Sequence, residues 1–285
     1  MLVSSTYRFA FAHIPKAGGT AIRYVLSKFC DDNRYWHQGF SPITDRVYDL
    51  AHINTQEAVD IFGDERLLDI EHLIVCVRDP IERTLSAFDE HRRQHNLTNV
   101  DVNDFIMNTL TFDNIANDWR FIHFRPQIDF LVLPDYLVEV HNRGNLHIHI
   151  MEHSPLQLKT DFDRVIKWVF SKSSEFPEGT FDLPSFRVRP DSSGKPKVSD
   201  LTTEAVERIC LLYKRDFEAF NFVMPSEEIA LPPDHATRME IIHRPYLRSW
   251  LLDGNVANFN LLNEGQKKGY TKILESQPQP PDLEN

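Results

Sequence analysis

The chain has only three cysteines in 285 residues, Cys30, Cys76 and Cys210. They are odd in number, far apart and set among apolar neighbours. That excludes a disulfide framework or a cysteine-based metal site and reads as reduced core thiols. No apolar run reaches the roughly 18 residues that would cross a bilayer, so no transmembrane segment is expected. The N-terminus has no basic region followed by an apolar stretch and a small-residue cleavage site. No signal peptide is therefore expected, and the expected location is cytoplasmic. Basic residues are outnumbered, 31 Lys+Arg against 42 Asp+Glu, for a net charge of −11. That balance argues against nucleic acid or any polyanion held by a whole basic face, but leaves room for a local positive cleft. The thirteen histidines form no H-E-x-x-H pattern, and no metal is expected. His147 and His149 alternate in a strand-like run and read as structural polar residues at a strand end. The Walker signature G-x-x-x-x-G-K-[ST] is missing, and there is no internal repeat.

Apolar residues make up 41% of the chain, enough for a sizeable core in one large α/β domain or two small ones. The stretch FAFAHIPKAGGTAIRYVL, residues 9–26, organises the rest. Phe9, Ala10, Phe11 and Ala12 read as a buried strand. The chain then breaks at Pro15-Lys16-Ala17-Gly18-Gly19. Ala21, Ile22, Val25, Leu26 and Phe29 recur at a helical period. Strand, glycine turn and helix form an anion cradle, because glycine permits close backbone approach and the first helical N–H groups lack intrahelical acceptors. Lys16 adds a mobile charge and Thr20 a hydroxyl. A plain strand-to-helix turn with a surface lysine is the alternative.

The second informative stretch is HLIVCVRDPIERTLSAFDEHRRQH. Leu73 to Val77 is a continuous apolar run, as in a strand buried on both faces of a parallel sheet. Asp79, Pro80 and Glu82 read as N-cap, first helical residue and capping partner. Ile81, Leu85 and Phe88 make the apolar stripe of that helix, with Arg83, Ser86 and Glu90 expected on the opposite side. Arg78 thus stands at the carboxyl end of a strand, where open α/β sheets bind ligands. An arginine fork with the Ser86 hydroxyl suits a terminal phosphate. An ion pair of Arg78 with Asp79 or Glu82, and a solvated face at Ser86, are the alternatives. Thr55 opens a further helix that Gly63 closes. The aromatics Phe105, Phe112, Trp119, Phe121 and Phe124 read as core. On the segment 201–222, Val206, Ile209, Cys210, Tyr213, Phe217 and Phe220 make one helical stripe.

HIPKAGGT resembles the 5′-phosphosulfate loop of sulfotransferases, whose carbohydrate branch often reads HIPK-T-GGT. RDPIERTLSAF resembles their 3′-phosphate signature, an arginine followed eight positions later by a serine. HFRPQIDFL (residues 123–131) resembles the Pro-Gln segment of the carbohydrate branch. LHIHIMEHSPLQLKTDFDRVIKWV resembles its strand-plus-helix unit, and residues 201–222 its closing helix with a Tyr-x-x-Asp-Phe-x-x-Phe ending. The resemblance covers about residues 7–222. It implies an α/β, P-loop-NTPase-like three-layer fold with a central, mainly parallel sheet flanked by helices. The expected organisation is a sulfotransferase domain over 1–224 and a C-terminal helical extension with a disordered tail over 225–285.

The resemblance further implies 3′-phosphoadenosine 5′-phosphosulfate (PAPS) as cosubstrate, leaving the 3′,5′-bisphosphate PAP. By residue, Lys16, Ala17, Gly18, Gly19, Thr20 and Ala21 would bind the 5′ end. Arg78 and Ser86 would bind the 3′-phosphate. Lys195, with Lys197, would reach the nucleotide from a Pro/Ser/Gly-rich loop at 187–200, for which a solvated loop is the alternative. Lys16 is also the expected catalytic lysine. His52, in DLAHINT, stands where the 2-O-sulfotransferases carry their catalytic histidine, although Ala51 replaces their glycine; a structural histidine is the alternative, with His37 and Glu57 as other candidate bases. The implied acceptor is a saccharide, a glycoconjugate or a small molecule. A non-catalytic PAPS-binding protein and a nucleotide-dependent kinase are the rival readings.

Overall fold

The computed structural model describes residues 1–31, 35, 38–41, 43, 46–97, 99–154, 157–171, 183 and 194–225. The expected helical extension from residue 226 onward and the candidate base His37 lie outside the described residues. The order of elements is β1 Leu2–Ser4, β2 Phe9–Ala12, α1 Gly19–Leu26, β3 Gln38–Ser41, β4 Arg46–Asp49, α2 Thr55–Phe62, β5 His72–Val77 and α3 Pro80–Gln94. Then come α4 Val102–Asp104, α5 Phe112–Asn117, α6 Asp135–Asn142, β6 His147–Glu152, α7 Leu158–Val169, α8 Thr203–Leu212 and α9 Lys214–Phe220.

The main sheet runs β1-β2-β5-β6. β1 lies antiparallel to β2, and β2, β5 and β6 are mutually parallel, with Phe9 opposite His72 and His72 opposite His147. Alternation along the strands divides the core in two. Ala10, Ala12, Leu73, Val75 and Val77 face one cluster with Ala58 and Ile61 of α2 and Leu137 of α6. Phe9, Phe11, Ile74 and Cys76 face another, with Ile22, Val25 and Leu26 of α1 and Phe162, Val165 and Ile166 of α7. Helices therefore cover both faces, which is the expected α/β architecture and explains why β2 and β5 are apolar throughout. β3 and β4 form a separate hairpin.

Helix signals act locally as their chemistry requires. Asn54 and Glu57 close a reciprocal capping box on α2, and Gly63 ends it in the left-handed region at φ 57°. The Asp79 carboxylate accepts from the N–H groups of Ile81 and Glu82 at 2.9 and 3.0 Å. Three expectations need correction. Arg83 is not on a solvated face but 1% exposed, because α3 is packed on most sides. Phe112 is 48% exposed, unlike Phe105, Phe121 and Phe124. The closing stripe is carried by two helices, α8 and α9, meeting at Tyr213 (φ −114°, ψ 22°). No helix among the described residues is long and apolar enough to cross a membrane.

Candidate active site

The carboxyl ends of β2, β5 and β6 open on one groove of about 730 Å³, a volume suited to a nucleotide-sized ligand. Its floor is the turn after β2. Gly18 is the N-cap of α1 at φ 78°, and a Cβ there would overlap the His153 imidazole. A Cβ on Gly19 would overlap the His13 imidazole. Gly18 is therefore required by packing and by its left-handed backbone, Gly19 by packing alone. Lys16 also lies in the left-handed region at φ 64°, which costs a lysine about 1–2 kcal/mol and persists where surrounding contacts enforce it. Gly18→Ala should lower stability by about 1–2 kcal/mol from the backbone alone, read as a drop in the urea midpoint; an unshifted midpoint would show that the turn relaxes freely.

Lys16, Gly18, Gly19, Thr20, His52, Arg78, Ser86, Lys195 and Lys197, all singled out by sequence, line this one groove. Ala17 is instead buried in the core, and neither it nor Ala21 is on the lining, so their contribution is restricted to the backbone. The Lys16 ammonium donates to Glu90 at 3.1 Å. Burial would raise the Glu90 carboxyl, but Lys16 and then Arg93 outweigh it and hold it below the usual carboxylate range. Arg78 donates to Glu82 at 3.1 and 3.2 Å, so the ion pair weighed from sequence exists and still leaves the guanidinium on the groove. Lys195 and Lys197 are held over α3 because Arg92 donates to the Gly194 carbonyl at 3.0 Å.

The support behind the groove was not legible as such. Gln127 of the Pro-Gln segment accepts from the Arg78 N–H at 2.9 Å and donates to its carbonyl at 2.8 Å. The N–H groups of Gln127 and Ile128 donate in turn to Asp216 at 2.8 and 2.9 Å, and the Tyr213 hydroxyl donates to the Phe124 carbonyl at 2.8 Å. The Tyr-x-x-Asp-Phe ending thus fixes the Pro-Gln turn, which fixes Arg78. Buried Arg83 donates to the carbonyls of Pro15 and His123, each at 3.1 Å, and to that of Arg125.

His52 ends a one-turn 3-10 helix, Leu50–His52. Its Nδ1–H donates to the His13 carbonyl at 3.0 Å; a carbonyl can only accept, so the second nitrogen, Nε2, carries the lone pair. Arg125 donates to the His52 carbonyl at 3.0 Å and to Glu57 at 2.8 Å. Glu57 is therefore committed to a buried ion pair and the α2 cap, away from the groove lining. Burial, partly offset by the His13 carbonyl, lowers the His52 imidazole to a pKa of about 3, so it is neutral at pH 7. His13 and His123 stand beside it, with ring centroids 4.7 and 5.4 Å from that of His52. Sequence reading used both only as motif letters. No group of three His, Cys, Asp or Glu side chains among the described residues could hold a metal ion.

The sequence profile of the sulfotransferase family matches residues 1–223, most of the chain and all of the groove. The chain belongs to the sulfotransferase family. Membership carries a general activity, the transfer of a sulfuryl group to an acceptor. No curated protein and no solved structure matches this sulfotransferase significantly.

Proposed function

We propose that the chain transfers a sulfuryl group from PAPS to a hydroxyl of a saccharide or glycoconjugate, in line, with His52 as base. The observation that supports this reading is the shared groove, whose lining includes Lys16, Gly18, Gly19 and Thr20 from one segment together with Arg78, Ser86 and Lys195 from others. The residues fit the cosubstrate: a glycine turn with a lysine for the phosphosulfate, and an arginine fork, a hydroxyl and a second lysine for the 3′-phosphate. The proposed unit spans 1–224, with 225–285 as an extension.

Bound PAPS supplies an activated sulfuryl group on a phosphate leaving group. The residues of this chain align the reactants and stabilise charge, as in phosphoryl transfer. Lys16 leaves Glu90 and neutralises the charge that grows on the leaving oxygens, a contribution of about 10²–10³ in rate. Backbone N–H groups of Gly18, Gly19, Thr20 and Ala21 hold the 5′ end. Arg78 and Ser86 hold the 3′-phosphate and so select this nucleotide over ATP. As the acceptor oxygen bonds to sulfur and the sulfur–oxygen bond to phosphate breaks, the hydroxyl proton passes to Nε2 of His52.

The test is transfer of labelled sulfate from PAPS to an acceptor library, with mass spectrometry of the products. Binding of PAP with no transfer to any acceptor would favour a non-catalytic role; protection by ATP with no response to PAP would favour a kinase. Arg78→Ala should weaken PAP by about tenfold or more while leaving AMP nearly unaffected. Equal losses for the two ligands would remove Arg78 from the 3′-phosphate.

A further inference from the structure

The geometry points to His123 as a second catalytic histidine, one that donates a hydrogen bond to the sulfuryl oxygens while His52 takes the acceptor proton. This inference rests on the PAPS reading above.

His123 lines the groove together with Lys16 and His52. The His52 and His123 rings are 5.4 Å apart at 88°, so two imidazoles face the same space from different elements. The His123 side chain makes no hydrogen bond to any described residue, although it lies among partners that are nearly all committed. His13 accepts at Nδ1 from Arg23 at 3.2 Å, and Nδ1 of His52 is held by the His13 carbonyl. A half-buried imidazole with no hydrogen-bond partner among the described residues, beside a lysine and a neutral histidine, has donor capacity left for a ligand.

Its placement is enforced from behind. Arg83 donates to the carbonyls of His123 and Pro15, both at 3.1 Å. One guanidinium therefore ties the backbone of His123 to that of the turn that carries Lys16. Burial, then His52, then Lys16 lower the imidazole to a pKa of about 3, so at pH 7 it is neutral, with one N–H to give and one lone pair. A neutral donor beside the Lys16 cation can bind sulfuryl oxygens without adding a charge that would repel Lys16. No proton is lost from His123 in the step: the N–H remains on the ring while the sulfur–oxygen bond to phosphate breaks and the bond to the acceptor forms. The hydroxyl proton goes to Nε2 of His52.

The readouts are binding and turnover in the full chain, with PAP and PAPS measured separately by calorimetry. In His123→Ala, the affinity for PAP, which lacks the sulfuryl group, should stay within about twofold, while PAPS should weaken about five- to tenfold, the worth of one hydrogen bond. Release of labelled sulfate from PAPS, to water or to acceptor, should fall further, by about 10–100-fold. His123→Gln, which keeps an N–H donor, should recover part of both losses. Equal effects on PAP and PAPS, or wild-type rates in His123→Ala, would overturn the inference. Failure of wild-type protein to bind PAP or PAPS would instead overturn the underlying function reading, so the two failures are separable. If His123→Ala loses its cooperative thermal transition, His123→Gln alone decides through its ratio of PAPS to PAP affinity.

Discussion

His52→Ala should lower turnover by about 10²–10⁴-fold, the usual worth of a positioned base, while leaving PAP affinity nearly intact. The effect is large because the tautomer is built in. The His13 carbonyl holds Nδ1–H at 3.0 Å, so Nε2 is an acceptor before any substrate arrives, and Arg125 fixes the same residue's backbone at 3.0 Å. The pH dependence follows with a definite sign. In the free protein the imidazole is lowered to a pKa of about 3, chiefly by burial, so the base stays competent well below the ordinary histidine range. Bound anionic nucleotide favours the imidazolium and raises that value. The acid limb of kcat, which reports the complex, should therefore lie at higher pH than that of kcat/KM, which reports the free enzyme. Unchanged turnover in His52→Ala, or acid limbs in the reverse order, would remove His52 from the role.

Arg83→Leu should destabilise the fold by about 3–5 kcal/mol, read from urea denaturation midpoints at constant m. The leucine fills much of the space but leaves the carbonyls of Pro15, His123 and Arg125 without the donor they now share. Each buried acceptor stripped of its partner costs about 1–3 kcal/mol. Burial lowers the Arg83 guanidinium below its usual pKa, opposed by Tyr213 and Asp216, and the substitution also takes from buried Asp216 a cation that lowers its carboxyl. Arg83→Lys should recover little, because a single ammonium cannot reproduce a fork aimed at three carbonyls. A midpoint close to wild type in Arg83→Leu would mean that the loops around the groove are held by other contacts.

Much of the frame was readable because its causes are local. The apolar runs of β2 and β5, the Asp79-Pro80 start of α3 and the Gly63 end of α2 each follow from a few adjacent residues. The same holds for the positions of Lys16 and Arg78, since a turn or a strand end can be read within one segment. Arg83 was misread because a helical wheel treats one helix in isolation, whereas α3 is enclosed by the β2 turn, the segment 119–125 and α8. His123 was passed over because nothing within HFRPQ says that its ring faces His52. The break at Tyr213 was hidden by a stripe that continues across it.

By itself the sequence determined the strand-turn-helix cradle, the second strand with its arginine, and the family to which the chain belongs. Period, capping and glycine placement act over distances of a few residues. Only the tertiary structure decided that the segments carrying Lys16 and Arg78 share one groove, that Gln127 and Asp216 support Arg78, and that Arg83 ties two loops together. Hydrogen bonds between residues 40 and 89 positions apart are made by packing, and no local period encodes them.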